Sequence, residues 1–98
     1  MKYRLIIRPE AEWDIEEFYN WYEDQAAGLG NEFLFALQAR LLTVVESPLS
    51  CQIIHLNIRR AVVRRFPHAF FYFVEGEIIS VIACVHHKRD PQGWRKRI

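Results

Sequence analysis

The chain has 98 residues, of which 51% are hydrophobic, 14% aromatic and 26% charged. This length suits one domain, residues 1–98, and the composition excludes a disordered chain. The net charge is only +1. However, residues 10–46 contain nine acidic side chains and one basic side chain, whereas residues 59–98 contain nine basic and three acidic side chains. We therefore expect an anionic ligand to contact the second half of the chain.

Cysteine usage and the N-terminal sequence indicate the class of protein. Cys51 and Cys84 form no CxxC motif and have no metal-ligand spacing, so we expect reduced thiols, no metal and no cofactor. The opening MKYRLIIRPEAEWD lacks the long apolar region of a signal peptide. No stretch contains the 18 or more apolar residues of a membrane span. We expect a cytoplasmic protein without membrane contact.

The first half of the chain predicts a strand followed by two helices. The run Tyr3–Ile7 favours a short strand, and Pro9 suits the first turn of a helix that we expect to end at Asp24. The sequence AAGLGN interrupts this pattern, and a second helix is expected from Asn31 to Glu46. The predicted buried stripes are Ala11, Ile15, Phe18 and Tyr22 on the first helix, and Phe33, Leu34, Leu37, Leu41, Val44 and Val45 on the second.

Three strand-like runs follow, at about Ile58–Phe66, Ala69–Glu75 and Ile78–His86. Gly76 lies between the last two runs and predicts a tight hairpin turn. Helices followed by a series of strands are typical of α+β proteins. We therefore predict a β-α-α-β-β-β fold, in which a helical hairpin packs on one face of a mainly antiparallel four-stranded sheet.

The last predicted strand indicates which face of the sheet meets the helices. Side chains alternate between the two faces of a strand. One face carries the apolar residues Ile79, Val81, Ala83 and Val85. The other carries the mixed set Ile78, Ser80, Ile82, Cys84 and His86. We expect the apolar set beneath the helices and the mixed set along a concavity that ends at His86.

Cationic, imidazole and aromatic side chains coincide near the ends of the later strands. Guanidinium groups bind phosphate, imidazoles transfer protons near neutral pH, and indole rings stack on bases. His86, His87 and Trp94 accompany the arginines here, although solubility and salt bridges explain an arginine-rich edge equally well. His55 and His68 have no such neighbours in sequence, and we expect both on the surface or in loops. The arginines are at positions 59, 60, 64, 65, 89, 95 and 97.

Several motifs resemble the RelE/ParE superfamily, the toxins of bacterial type II toxin–antitoxin modules. The resemblance rests on the first helix RPEAEWDIEEFYNWYEDQ, the helix stop ESPLS and the segment IRRAVVRRFPHAFFYFVEGEIISVIACVHHKRDPQGWRKR. It covers nearly the whole chain. The ending HHKRDPQGW resembles the His-x-x-Arg-x-Pro-x-x-Trp ending of the ParE-like branch.

The resemblance implies one of two activities. RelE-like toxins cleave mRNA in the ribosomal A site, whereas ParE-like toxins poison DNA gyrase. This chain has Ala69 where RelE-like sequences tend to carry an arginine, and its tail lacks their C-terminal tyrosine. These departures favour a toxin that acts on gyrase or is otherwise non-nucleolytic. An mRNA endonuclease and an inactive module are the alternatives, and the catalytic candidates of the endonuclease are Arg64, Arg65, His86 and Arg89.

The resemblance also implies the partners of the chain. A cognate antitoxin is expected to lay its C-terminal segment over the hairpin and sheet, with Trp13, Phe35 and Leu42 as contacts. Phe35 and Leu42 project from the second helix away from its core stripe, where packing against a loop or the other helix is the alternative. The target is DNA gyrase or, alternatively, the ribosome and mRNA, and a homodimer is a further assembly. The residues expected to face the target are Arg59, Arg60, Arg64, Arg65, His86, Arg89 and Trp94.

Overall fold

The computed structural model describes residues 2–98 and has two helices on one face of a five-stranded sheet. The elements are β1 (Arg4–Ile7), α1 (Pro9–Gln25), α2 (Leu29–Glu46), β2 (Ile53–His55), β3 (Ile58–Val62), β4 (His68–Glu75), β5 (Ile78–His86) and a 3₁₀ helix (Gly93–Arg97). The strand order is β1-β5-β4-β3-β2. β1 pairs with β5 in parallel, and the other neighbouring strands are antiparallel. The predicted α+β class and helical hairpin are confirmed.

Two details of the strands differ from the prediction. The sheet has five strands rather than four, because β2 adds a short edge strand with an irregular register against β3. Three residues are too few to produce a recognisable alternation in sequence. β3 ends at Val62 rather than at Phe66. Arg65 adopts a φ of 72° in the following turn, and this left-handed conformation cannot continue a strand.

The connection between the helices is held by one side chain. The carboxylate of Glu23 accepts hydrogen bonds from the N–H groups of Gly28 at 3.0 Å and Gly30 at 2.9 Å. Gly28 has a φ of 88°, a conformation that glycine adopts without steric cost. A Cβ atom at Gly30 would lie 2.8 Å from the ring of Tyr19. The connection is therefore tight, and α2 begins at Leu29, two residues before its predicted start.

The main core lies between the hairpin and the sheet, and the predicted helical stripes are confirmed. The buried helical residues of this core are Ala11, Tyr22, Phe33, Leu37, Leu41 and Val44. The partly buried residues that pack against them include Ile15, Phe18, Leu34 and Val45. Burial of apolar surface of this kind is the dominant favourable term in folding.

A bulge in β5 reverses the alternation of its side chains. Phe71 lies opposite Ala83, but the next residue of β4, Tyr72, lies opposite Val81. β5 therefore has one extra residue at Ile82. An extra residue moves every later side chain of a strand to the opposite face.

The bulge makes half of the predicted apolar row wrong. Ile79 and Val81 lie in the main core beneath the helices, as predicted. Ala83 and Val85, beyond the bulge, belong instead to a second cluster on the outer face of the sheet. Cys84, predicted for the outer side, lies in the main core.

The second cluster shows that the C-terminal tail is part of the fold. Trp94 of the 3₁₀ helix is 3% exposed and stacks on Phe71 with ring centroids 5.5 Å apart. The cluster consists of Ile58, Ala69, Phe71, Ile82, Ala83, Val85 and Trp94. The tail thus covers apolar surface that the helices leave open.

Beyond the end of β1, a salt bridge between Asp14 and Arg97 binds backbone groups of β5. β1 pairs with β5 only as far as Val81. Beyond that point Asp14 accepts a hydrogen bond from the N–H of Cys84 at 2.9 Å, and Arg97 donates to the carbonyl of Ile82 at 3.0 Å. Arg97 Nη2 also lies 2.9 Å from Asp14 Oδ1. We call this arrangement the Asp14–Arg97 clasp. It joins α1, β5 and the tail.

Candidate functional site

Two turns at one end of the sheet carry most of the predicted basic site. One turn connects β3 to β4, and the other follows β5. The carbonyl of Pro67 in the first turn accepts a hydrogen bond from the N–H of His87 in the second at 3.0 Å. We call this region the basic end. It comprises Arg64, Arg65, His87, Lys88 and Arg89, which are all exposed.

The other residues expected to face the target lie elsewhere. Arg59 donates through Nη1 to the carbonyls of Leu49 at 2.9 Å and Cys51 at 2.7 Å, so it holds the loop before β2. Arg60 is exposed at the next position of β3. Trp94 is buried on the outer face and anchors the tail.

His86 organises the turn after β5. Its Nδ1 atom accepts hydrogen bonds from the N–H groups of Lys88 and Arg89, both at 3.2 Å. Its carbonyl accepts from the N–H of Asp90 at 2.9 Å. Burial, followed by the nearby charge of Arg89, lowers the pKa of His86. The neutral ring therefore carries its proton on Nε2, because Nδ1 acts as an acceptor.

His68 is a buried core residue, so its predicted surface or loop position is wrong. It is 1% exposed, and its ring centroid lies 4.2 Å from that of Phe18 and 5.0 Å from that of Phe33. The Tyr22 hydroxyl lies 2.9 Å from His68 Nε2. Burial, and then the neighbouring His86, lowers the pKa of His68 to about 4. The one signal in sequence was its position directly before the apolar run AFFYF, at the start of β4.

His55, expected on the surface or in a loop, ends the edge strand β2 and is half-buried. Its ring centroid lies 5.7 Å from that of Trp94. His55 therefore borders the outer cluster.

The basic side chains border two separate depressions. The first, which we call the α2 groove, has a volume of about 880 Å³. It is lined by Glu32, Phe35, Ala36, Ala39, Arg40, Thr43, Val62, Arg64 and Arg65. The second, which we call the end cleft, has a volume of about 520 Å³. It is lined by Glu17, Phe18, Trp21, Tyr22, Pro67, His68, His86 and Arg89.

Arg65 has an unusual backbone conformation for its exposed position. Its φ of 72° lies in the left-handed region, which non-glycine residues seldom adopt. Its guanidinium lies 3.3 Å from the Glu32 carboxylate, and both side chains are more than half exposed. An exposed ion pair stabilises a fold by at most about 1 kcal/mol. Backbone strain of this kind is concentrated at functional sites, which keeps Arg65 among the candidates.

The residues expected to contact an antitoxin are all exposed. Trp13, Phe35 and Leu42 have exposed fractions of 75%, 70% and 65%. Phe35 lines the α2 groove, and Leu42 lies two turns further along the same side of α2. Trp13 borders a different depression on α1, together with Arg97.

Several general properties of the site follow from the described residues. No three His, Cys, Asp or Glu side chains within residues 2–98 are grouped so that they could hold a metal ion. No helix in that range is long and apolar enough to cross a membrane. Cys51 and Cys84 are buried free thiols, and burial raises the pKa of Cys84.

Sequence comparison identifies the class of this protein. It is a toxin of a type II toxin–antitoxin system. The profile of the family described as "ParE toxin of type II toxin-antitoxin system, parDE" matches residues 5–91. The chain belongs to the ParE toxin family, and the resemblance found in the sequence is confirmed. No curated protein matches the chain at a significant level.

Two solved structures support the same fold. A chain of the chromosomal ParDE toxin–antitoxin system from P. aeruginosa superposes with a TM-score of 0.77 at 12% identity, covering 87% of this chain and 96% of that one. A mutant of the E. coli toxin RelE in the free state gives 0.63 at 16% identity, covering 99% of this chain and 94% of that one. At such low identities these likenesses establish the fold alone.

Proposed function

We propose that this protein arrests bacterial growth by acting on DNA gyrase, and that a cognate antitoxin neutralises it by occupying the α2 groove. Membership of the ParE toxin family supports the toxin role. The structural likeness to a ParDE toxin–antitoxin system supports a protein antitoxin as partner. The observation that carries the choice of target is the separation of the nuclease candidates between two depressions.

A metal-independent RNA cleavage site needs proton-transfer groups and phosphate-binding cations around one phosphate. Arg64 and Arg65 border the α2 groove, whereas His86 and Arg89 border the end cleft. The Nδ1 atom of His86 is also engaged by the backbone of the following turn. This arrangement favours a toxin that acts on gyrase over an mRNA endonuclease.

The α2 groove suits an extended apolar segment with acidic residues. Phe35 and Val62 are large exposed apolar side chains at its walls. Arg40, Arg64 and Arg65 outnumber the single carboxylate of Glu32 along its rim. An extended apolar surface rimmed by charge is typical of a protein interface.

The groove also runs along an edge of the sheet that no strand covers within the described residues. β2 reaches β3 only at its beginning, where the N–H of Arg60 donates to the carbonyl of Gln52 at 3.1 Å. Further along, the carbonyl of Val62 accepts a hydrogen bond from Arg40 Nε at 2.9 Å. A segment that displaces the Arg40 side chain can pair with this edge, as added strands do in other complexes.

In this proposal the residues that contact the antitoxin and those that contact gyrase lie on different parts of the molecule. Phe35 and Leu42 lie on one side of α2 and form the anchor for the antitoxin segment. Trp13 lies on α1, so the segment must cross the hairpin to reach it. Arg64, Arg65 and Arg89 of the basic end are the residues that face gyrase.

The first experiment induces the gene alone and together with the adjacent reading frame. We expect growth arrest in the first case and normal growth in the second. Phe35→Asp should keep its toxicity but escape neutralisation, because an acidic side chain disrupts the apolar anchor. Leu56→Asp is the matched control, since Leu56 is 78% exposed and lies outside the groove. It should remain both toxic and neutralised.

Three results would change this proposal. Normal growth with soluble, folded protein would remove the toxin role of this chain and favour an inactive module. Cleavage within translated codons, detected by primer extension after induction, would make the protein an mRNA endonuclease. Full neutralisation of Phe35→Asp would show that the antitoxin does not bind at the α2 groove.

A further inference from the structure

The end cleft has the shape and lining of a site for a planar ligand. Its walls are aromatic, with Phe18, Trp21 and Tyr22 contributed by successive turns of α1. Its volume of about 520 Å³ falls in the range of small-molecule sites. Trp21 is 46% exposed, so part of its indole remains accessible to solvent. Phe18 and Tyr22 also pack in the main core, whereas Trp21 belongs neither to that core nor to the α2 groove.

Arg89 is held over the mouth of the cleft by the backbone. The N–H of Arg89 donates both to the carbonyl and to Nδ1 of His86, at 3.1 and 3.2 Å. This double anchor directs the side chain back toward α1, where the guanidinium lies 5.5 Å from the centroid of the Trp21 ring. The guanidinium and the indole together form a cationic stacking platform.

The cleft offers one side-chain donor that the fold does not use. His86 presents the N–H of Nε2, because its Nδ1 accepts hydrogen bonds from the backbone. His68 uses Nε2 on the Tyr22 hydroxyl.

The charge around the cleft favours an anionic ligand. The turn after β5 supplies Lys88 and Arg89. Glu17 is the acidic side chain that lines the cleft. A stacking platform combined with surrounding cations matches a nucleotide, whose base stacks while its phosphates contact the cations.

We propose that the end cleft binds an unpaired nucleotide of single-stranded nucleic acid, with the base stacked against Arg89 and Trp21 and the adjacent phosphate on Lys88. This inference goes beyond the proposed function, because it assigns a ligand to the toxin itself and does not depend on gyrase. The base reaches the donor of His86 from inside the cleft. Duplex DNA is excluded because its bases are stacked and paired.

The experiment measures binding of fluorescently labelled oligo-deoxythymidine and oligo-uridine to the purified protein by anisotropy at low salt. Arg89→Gln and Trp21→Leu should each weaken binding by about tenfold or more, the range for loss of one stacked base. Arg95→Gln is the matched control for Arg89, because Arg95 loses the same charge and lies 4.9 Å from the Trp94 ring on the outer face. Trp13→Leu is the control for Trp21, since Trp13 is 75% exposed.

The expected result is loss of binding in the two cleft variants and a change of less than about twofold in the two controls. The ratio of affinities for the two oligomers then identifies DNA or RNA as the preferred source of the nucleotide. Equal weakening by Arg95→Gln and Arg89→Gln would overturn the proposal, since charge alone would explain binding. Equal affinity for duplex DNA or for an acidic peptide of the same charge would also overturn it, as would absence of binding. Toxicity, scored separately, tests the proposed function.

Discussion

Single residues of the predicted site divide between stability and recognition. Arg64, Arg65 and Arg89 are exposed at the basic end, where they contribute little buried surface. Trp94 was expected beside them on the target surface, but it fills the outer cluster at 3% exposure. Alanine substitution should therefore affect recognition at the three arginines and stability at Trp94.

Alanine substitution of the three arginines should leave the melting temperature nearly unchanged and reduce toxicity. Surface changes usually alter the free energy of unfolding by less than about 0.5 kcal/mol. Trp94→Ala should instead cost about 3 to 5 kcal/mol, because it leaves a cavity over the sheet. Thermal denaturation and growth arrest, measured on the same variants, separate the two effects. If the arginine variants remain fully toxic, the basic end is only a solvated surface and does not contact the target.

The buried His68 should make the folded protein less stable in mild acid. Its pKa in the folded protein, about 4, lies below the value of about 6.5 in an unfolded chain, so the unfolded chain binds the proton more readily. The contribution of His68 is fully present above pH 6.5 and is lost as the pH falls from about 6.5 to about 4. It amounts to roughly 2 to 3 kcal/mol. Urea denaturation across this range measures it.

The comparison variant for that measurement is His68→Phe, which loses the hydrogen bond with Tyr22 but has no titrating ring. Its free energy of unfolding should change less between pH 6.5 and pH 4 than that of the parent protein. His87→Gln is the control, because His87 is exposed, and it should retain the pH dependence of the parent. If His68→Phe retains the same dependence, the buried histidine is not its source.

At the scale of the elements, the Asp14–Arg97 clasp takes the place of a strand along β5. Both side chains are mostly buried, with exposed fractions of 18% for Asp14 and 27% for Arg97. The hydrogen bond to Asp14 raises the pKa of Arg97. Each partner also satisfies a backbone group of the bulged strand.

Asp14→Ala and Arg97→Ala should each destabilise the fold by about 1 to 3 kcal/mol, because each leaves an unpaired backbone group and a partly buried charge. The double variant should lose less than the sum of the two, since the residues act as one unit. Urea denaturation of the four proteins measures this coupling. Strictly additive losses would mean that the two side chains act independently.

The elements also show how far the sequence determines the fold. The stripe positions on α1 and α2 were predictable because apolar spacing depends only on helix geometry. The bulge at Ile82 was not, since Ile82 is as apolar as its neighbours and only its pairing with β4 identifies the extra residue. The burial of His68 likewise depends on Phe18 and Phe33, which are distant in sequence. The basic turns were found from composition, whereas their division between two depressions required the structure.

At the scale of the whole molecule, the uneven charge of the sequence becomes a division of surfaces. The acidic residues concentrate on the helices, and the basic residues on the later strands, turns and tail. Among residues 2–98 only two ion pairs join these regions, Arg97 with Asp14 and Arg65 with Glu32. Most of the basic side chains are therefore available to an anionic partner, although the net charge is only +1.

The most direct test of the gyrase-directed account adds the purified protein to DNA gyrase, ATP and relaxed plasmid DNA. The account predicts loss of supercoiling activity and accumulation of cleaved DNA linked to gyrase, both prevented by the purified antitoxin. The Arg89→Ala variant should be weaker in this assay while keeping its melting temperature. The account would be contradicted if gyrase kept its full supercoiling activity in the presence of the protein while production of the same protein in cells still arrested growth.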